Sequence, residues 1–256
     1  MNQEEKSLKM RNMPMGRLIA SMSIPAMFSM LIQALYNIVD TIYVSRIDQT
    51  SDNLITALGY AFPMQMLMMA FALGIGIGTN VMVSRKLGER KANEASCHAQ
   101  TGIAMTFITL LFFFVLSFII VEPFMDLMSN QQEIIDSGSS YLRICMMFSG
   151  FLFIEILYNK ILQGTGRMIV PMISQLIGAI INIILDPIFI FGWLGLPALG
   201  VKGAAIATVI GQGAAMVFTL IYAYTRKFEI NLRLKKYRFS GLCAKNIIKV
   251  GIPSTV

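Results

Sequence analysis

Charged side chains are scarce in this sequence, making up 14% of 256 residues against 55% apolar ones. A soluble domain carries about a quarter charged residues, so an ordinary water-soluble fold is excluded. Histidine occurs once, as His98. No second histidine or cysteine stands at helical spacing from it, and it reads as an interfacial anchor or bystander and not a metal ligand. The three cysteines, Cys97, Cys145 and Cys243, lack metal spacing, and an odd count argues against a disulfide framework. They read as reduced, small apolar fillers. A secretory signal has an apolar core of only about 7 to 15 residues. The first apolar segment here is longer and holds Pro25, Asn37 and Asp40, so it reads as a retained span. The net charge of +7 is not gathered into a patch within a polar domain, and nucleic acid is not expected as a partner. Gly74-Ile-Gly76-Ile-Gly78 has no preceding strand, which excludes a dinucleotide loop.

What the chain does have is six long apolar stretches, at about 18–44, 54–83, 97–121, 140–162, 168–191 and 200–224. Runs of 18 or more apolar residues predict transmembrane helices, so the fold class is all-α and polytopic. Eighteen Lys and Arg fall at the ends that share a side with the N-terminus, and two, Arg46 and Lys202, on the opposite side. That asymmetry puts both termini in the cytoplasm of a multi-pass cell-membrane protein. Residues 1–17 read as a cytoplasmic amphipathic segment, 18–224 as a six-helix lobe and 225–249 as a basic linker. Residues 250–256 read as the start of a seventh helix, because Ile19 to Pro25 and Ile247 to Pro253 align at an offset of 228. A parallel repeat of that length predicts a transporter of two lobes, of which this chain is one. The spaced glycines of the second span predict a closely packed neighbour. The third span reads as a lipid-facing scaffold. The methionines of Met64-Gln-Met66-Leu-Met68-Met69 are either lipid-facing filler or an adaptable pocket wall.

Carboxylates inside a bilayer are costly and mark ion or substrate handling by default. Asp40 in the first span and Asp186 in the fifth lie about 33 and 27 Å from their inner ends, at similar depth. Gln33, Tyr36 and Asn37 share a helical face with Asp40, and Asn182 stands one turn before Asp186. These stripes are candidates to line a hydrated cavity, whose oxygens suit Na⁺ while paired acids suit a proton. Glu155, with Asn159 one turn on, is a further cavity candidate. For all these acids the competing reading is a hydrogen-bonded packing role. Pro25 removes one helical hydrogen bond and permits a bend.

The sequence resembles the multidrug and toxic compound extrusion (MATE) family at several motifs, in order. They are Ser23-Ile-Pro25, Leu35-Tyr-Asn-Ile-Val-Asp40-Thr41, Ser84-Arg-Lys-Leu-Gly88, Gln163-Gly-Thr-Gly166-Arg167, Asn182 to Pro187, Gly203 to Thr208 and Val250-Gly-Ile-Pro253. The resemblance implies the amino-terminal half of a twelve-helix antiporter that exports organic cations or drugs against Na⁺ or H⁺. It implies a cation site, for Na⁺ if sodium-coupled, on Asp40, Asn182, Asp186 and Thr208, coupled to a hinge at Pro25. Glu155 stands outside the family pattern. The implied partners are the bilayer, small organic cations and a carboxy-terminal lobe, with no cofactor beyond the coupling ion and no catalysis. One alternative is a flippase for lipid-linked sugars, against which stands the single basic residue expected within a span, Arg143. Others are an intramembrane aspartyl protease, whose motifs are missing, and a lobe that serves only for assembly.

Overall fold

A computed structural model describes residues 14–45, 53–195, 197–226, 230 and 240–254. The helices are α1 (Met15–Ser45), α2 (Asn53–Gly88), α3 (Ala92–Ile119), α4 (Val121–Met128), α5 (Gln132–Met147), α6 (Ser149–Gly164), α7 (Ile169–Phe191), α8 (Val201–Thr225) and α9 (Gly241–Gly251). Among the described residues there is no strand. Five helices, α1, α2, α3, α7 and α8, are each long and apolar enough to cross a membrane, and α5 with α6 forms a sixth, bent span. The all-α, six-span lobe expected from the sequence is the observed fold.

The fourth span differs from the single segment read at 140–162. Its helix begins earlier, at Gln132, and turns by 48° between α5 and α6. Phe148 leaves helical geometry at φ −98° and ψ 12°, and Ser149 and Gly150 follow it. A Ser/Gly pair is a recognised site of helix breaks. Gly150 also faces Leu110, where an added Cβ would stand 2.5 Å from the leucine methyl. The polar stretch before this span is largely helical as well. Arg143 there is ion-paired to Glu122 at 2.6 Å, with its side chain 40% exposed.

The centre of the lobe is α2, which packs against α3, α5, α6 and α9. The most extensive helix pair is α7 with α8, while α1 leans mainly on α7 and touches α2 and α8 lightly. Gly192 at φ 74° ends α7 and Gly200 at φ 55° precedes α8, conformations that glycine adopts without steric cost. At the turn from α2 to α3, Lys86 pairs with Glu89 at 2.9 Å and Glu94 at 2.8 Å. The hydrogen bond from Lys86 holds the Glu89 carboxyl below its ordinary range.

The close neighbour that the α2 glycines predict is α9. Gly78 lies against the Ile247 carbonyl and Gly251 against the Gly74 carbonyl. Residues 241–251, inside and just beyond the stretch read as a basic linker, are thus an amphipathic helix that buries Cys243, Ile247 and Gly251. The third span is also less passive than its sequence suggests. The first half of α3 buries Ala95, Ala99 and Ile103, and only its later half presents Phe107, Leu111 and Phe118 outward. His98 is not an exposed anchor but 4% exposed. Its Nδ1–H donates to the Glu94 carbonyl at 2.9 Å.

Cys97 on α3 and Cys243 on α9 have sulfurs 3.3 Å apart. Burial pushes the Cys243 thiol up to about 11. Because the thiolate is the attacking species, a thiol oxidant such as copper phenanthroline should join the two, and faster as pH rises. Cleavage of the chain between α8 and α9 should then leave the two pieces linked, and Cys243→Ala should free them. Separate pieces in the oxidised protein would mean that α9 does not dock on α3.

Candidate functional site

A cavity of about 450 Å³ opens between α1, α2, α6, α7 and α8. Gln33 and Tyr36 from α1 reach it, as do Glu155 and Asn159 from α6, Asn182 from α7 and Thr208 from α8. Met66 and Met69 of α2 also form its wall, so half of the methionine run lines the pocket while Met64 and Met68 pack in the core. Ser29, Lys160, Gln163, Gln175 and Gln212 complete the polar lining. A space of this size falls within the usual range for drug-sized ligands, about 300 to 1,000 Å³.

Two polar clusters stand along the wall. In the first, Asn182 donates from Nδ2 to Asp186 Oδ1 at 3.3 Å and to Thr208 Oγ1 at 3.4 Å. The three are 2%, 0% and 8% exposed. Helical spacing of four residues brings Asn182 and Asp186 together. Close contact of α7 and α8 brings Thr208, since Gly211 lets α8 approach so that an added Cβ would stand 2.8 Å from the Gly178 carbonyl. Asn182 Oδ1 is buried with no hydrogen-bond partner among the described residues. Amide, carboxylate and hydroxyl oxygens on one spot are the donor set of a hard monovalent cation. Asp40 and Asn37 lie in α1, which packs on α7, but their side chains are outside the described residues. Pro25 lies inside α1, where Ser29 Oγ donates to its carbonyl at 3.0 Å.

The second cluster surrounds Glu155. Asn159 Nδ2 and Ser174 Oγ approach its Oε1 at 3.2 and 3.4 Å. Thr219 Oγ1 stands 2.7 Å from Ser174 Oγ and 3.2 Å from Asn159 Oδ1. Ser174 and Thr219 are fully buried and escaped the sequence reading. A signal existed for Thr219, because Thr208, Gln212 and Thr219 recur at spacings of four and seven along α8, whereas Ser174 stands alone as a hydroxyl in α7. Lys160 is a second surprise, a basic residue on the cavity wall whose Nζ donates to Gln163 Oε1 at 3.3 Å. Among the described residues no group of three or more His, Cys, Asp or Glu is placed to hold a metal ion.

Residues 25–188 match the MatE family model. The chain belongs to the MatE family. A protein of Bacillus subtilis (strain 168) named probable multidrug resistance protein YoeA is 24% identical over 236 residues, covering 91% of this chain and 50% of that one. A Shewanella oneidensis protein named FAD transporter is 28% identical over 203 residues, covering 79% of this MatE chain and 44% of its own length. The solved structure of a MOP superfamily transporter from Pyrococcus furiosus superposes with a TM-score of 0.86 at 29% identity, over 93% of this chain and 51% of that one. The MatE chain thus spans about half the length of the relatives it matches.

Proposed function

We propose that this MatE chain is the amino-terminal lobe of a secondary antiporter in the cell membrane, with its N-terminus cytoplasmic, exporting organic cations in exchange for Na⁺ or H⁺. The observation that carries the reading is the buried Asn182, Asp186 and Thr208 cluster at the wall of a methionine-lined cavity. The coupling ion binds at that cluster, with Asp40 as the further ligand. The organic body of the cargo rests on Met66 and Met69, with Gln33, Tyr36, Asn37, Glu155 and Asn159 as polar contacts. Filling or emptying the cluster changes the surface of α7 on which α1 rests, and α1 responds by bending at Pro25, which contributes no backbone N–H. A second lobe supplies the body against which this one rocks.

An anionic cargo is the rival reading, and Lys160 on the cavity wall favours it. It covers a lipid-linked phosphate as well as a flavin nucleotide of the kind in the Shewanella relative's name. Everted vesicles carrying the complete transporter test both readings. Under the export reading, one of two imposed gradients, sodium or proton, drives uptake of a fluorescent organic cation. Failure of both gradients to move the cation defeats it, and gradient-driven uptake of a flavin nucleotide in its place establishes the rival.

A further inference from the structure

We propose that Cys97 of α3 and Cys243 of α9 form a modification site, at which a low-molecular-weight disulfide converts the two thiols into one disulfide that holds α9 on the lobe. Under the export reading, that bond also ties the first stretch of the second lobe to this one and stops the rocking, so the effect on transport rests on that reading. The modification itself does not.

The two cysteines are 146 positions apart in sequence, and the fold returns them to contact with their sulfurs 3.3 Å apart. A disulfide needs about 2 Å, a closure within reach of side-chain rotation. The two thiols differ in access. Cys97 is half-buried and open to a reagent, whereas Cys243 is buried. That is the order of an attacking and a resolving thiol. Cys145 serves a different contact on α5, where Gln65 Nε2 donates to its sulfur at 3.8 Å.

Docking of α9 is the element that such a bond makes permanent. The helix meets α2 backbone to backbone, Gly78 against the Ile247 carbonyl and Gly251 against the Gly74 carbonyl. Contacts of this kind part without unthreading long side chains. Docking also carries a cost on α3. His98 Nδ1 lies 3.7 Å from Cys243 Sγ, and the other ring nitrogen, Nε2, is buried with no hydrogen-bond partner among the described residues. A buried polar atom left unpaired is unfavourable, and lifting α9 lets water reach it. The cost favours a lifted arrangement, which a covalent bond between α3 and α9 removes.

The chemistry balances with a small disulfide as the oxidant. Cys97 gives its proton to water and attacks one sulfur of the reagent, whose S–S bond breaks and releases one thiolate. Cys243 gives up its proton, attacks the Cys97 sulfur of the mixed disulfide and expels the second thiolate. Two thiols of the protein lose two electrons, one disulfide of the reagent gains them, and the two protons end on the two released thiols. With both termini on the cytoplasmic side, the pair faces a compartment in which protein disulfides are mostly transient and redox-sensing.

The test equilibrates the complete transporter in detergent with glutathione and glutathione disulfide at a series of ratios, and identifies its proteolytic peptides by mass. Peptides carrying Cys97 and Cys243 should be joined, with Cys145 still reduced. Cys243→Ala should stop at a mixed disulfide of glutathione with Cys97. Amide hydrogen exchange in residues 241–251 should slow roughly tenfold on oxidation and recover with dithiothreitol. In everted vesicles, which turn the cytoplasmic face outward, glutathione disulfide should lower gradient-driven uptake of a fluorescent organic cation roughly tenfold, while Cys97→Ala and Cys243→Ala keep theirs. Absence of the joined peptides at every ratio overturns the proposal, and so does equal exchange of α9 in the reduced and oxidised forms. Unaltered uptake by fully joined transporter overturns the arrest of rocking. Failure of the reduced transporter to take up the cation counts against the export reading alone, since peptide mapping and hydrogen exchange still decide this site.

Discussion

Asp186→Asn is expected to abolish efflux of a fluorescent organic cation while membrane insertion and elution in detergent stay unchanged. Asp186 is fully buried, and Asn182 donates to its Oδ1. Asparagine has the same shape and keeps an oxygen that accepts this bond, so the substitution removes charge and little else. If Asp186 served only to pin α7, a neutral isostere would serve as well or better, because it avoids burying a charge in the bilayer. A coupling site behaves oppositely. Without the carboxylate neither Na⁺ nor a proton has its anionic partner, and efflux should fall to the level of cells lacking the protein. Thr208→Ala, which removes one neutral ligand 3.4 Å from Asn182, should weaken coupling and not erase it. Efflux at the unaltered rate in Asp186→Asn would take Asp186 out of the mechanism.

Gly203→Leu is expected to cost the lobe its fold. Gly203 lies against the Phe189 carbonyl, with no room for a side chain in between. Gly211 lies less tightly against the Gly178 carbonyl, 2.8 Å from where a Cβ would sit, and 3.3 Å from the Asn182 Cβ. These contacts set the separation of α7 and α8, and with it the bond from Asn182 to Thr208. Overpacking a well-packed core costs about 1 to 3 kcal/mol. Here the obstacle is backbone, which cannot swing aside, so the upper end or more applies. Against a total stability of about 5 to 15 kcal/mol, that is a large share. Monodisperse protein in detergent should be largely lost, and the milder Gly211→Ala should lower the melting temperature and weaken efflux together. Gly59 on α2 has nothing within 4 Å and is the control. Gly59→Ala should be neutral or stabilising by up to about 1 kcal/mol, the difference in helix propensity. Equal stability of Gly203→Leu and Gly59→Ala would contradict the packing described here.

The helices and the first polar cluster were legible because bilayer physics leaves few options. A long apolar run must be helical, and an acid within it needs partners one turn away, as Asn182 and Asp186 have. Thr208 came from family resemblance, since one hydroxyl in an apolar helix carries little signal. Ser174 is silent for the same reason, Thr219 shows only through its spacing from Gln212, and the meaning of both emerges only when α6, α7 and α8 converge on Glu155. The break at Phe148 was hidden because hydropathy is continuous across it, whereas a bend is a property of backbone and neighbours. Lys160 was counted for membrane orientation from its place near a span end, but its long side chain reaches the cavity. The helix at 241–251 was masked by lysines that lie on its outer face.

The corner at Phe148 has a geometric consequence for the acid beyond it. Each residue of an α-helix advances the azimuth by about 100°. Glu155 lies seven residues past the corner and Asn159 eleven, so one residue gained or lost there would swing both away from the pocket unless α6 broke its packing. The compass bearing of the carboxylate is therefore fixed by chain length between the corner and the acid. In lineages that share the corner, insertions should fall anywhere but in this short interval.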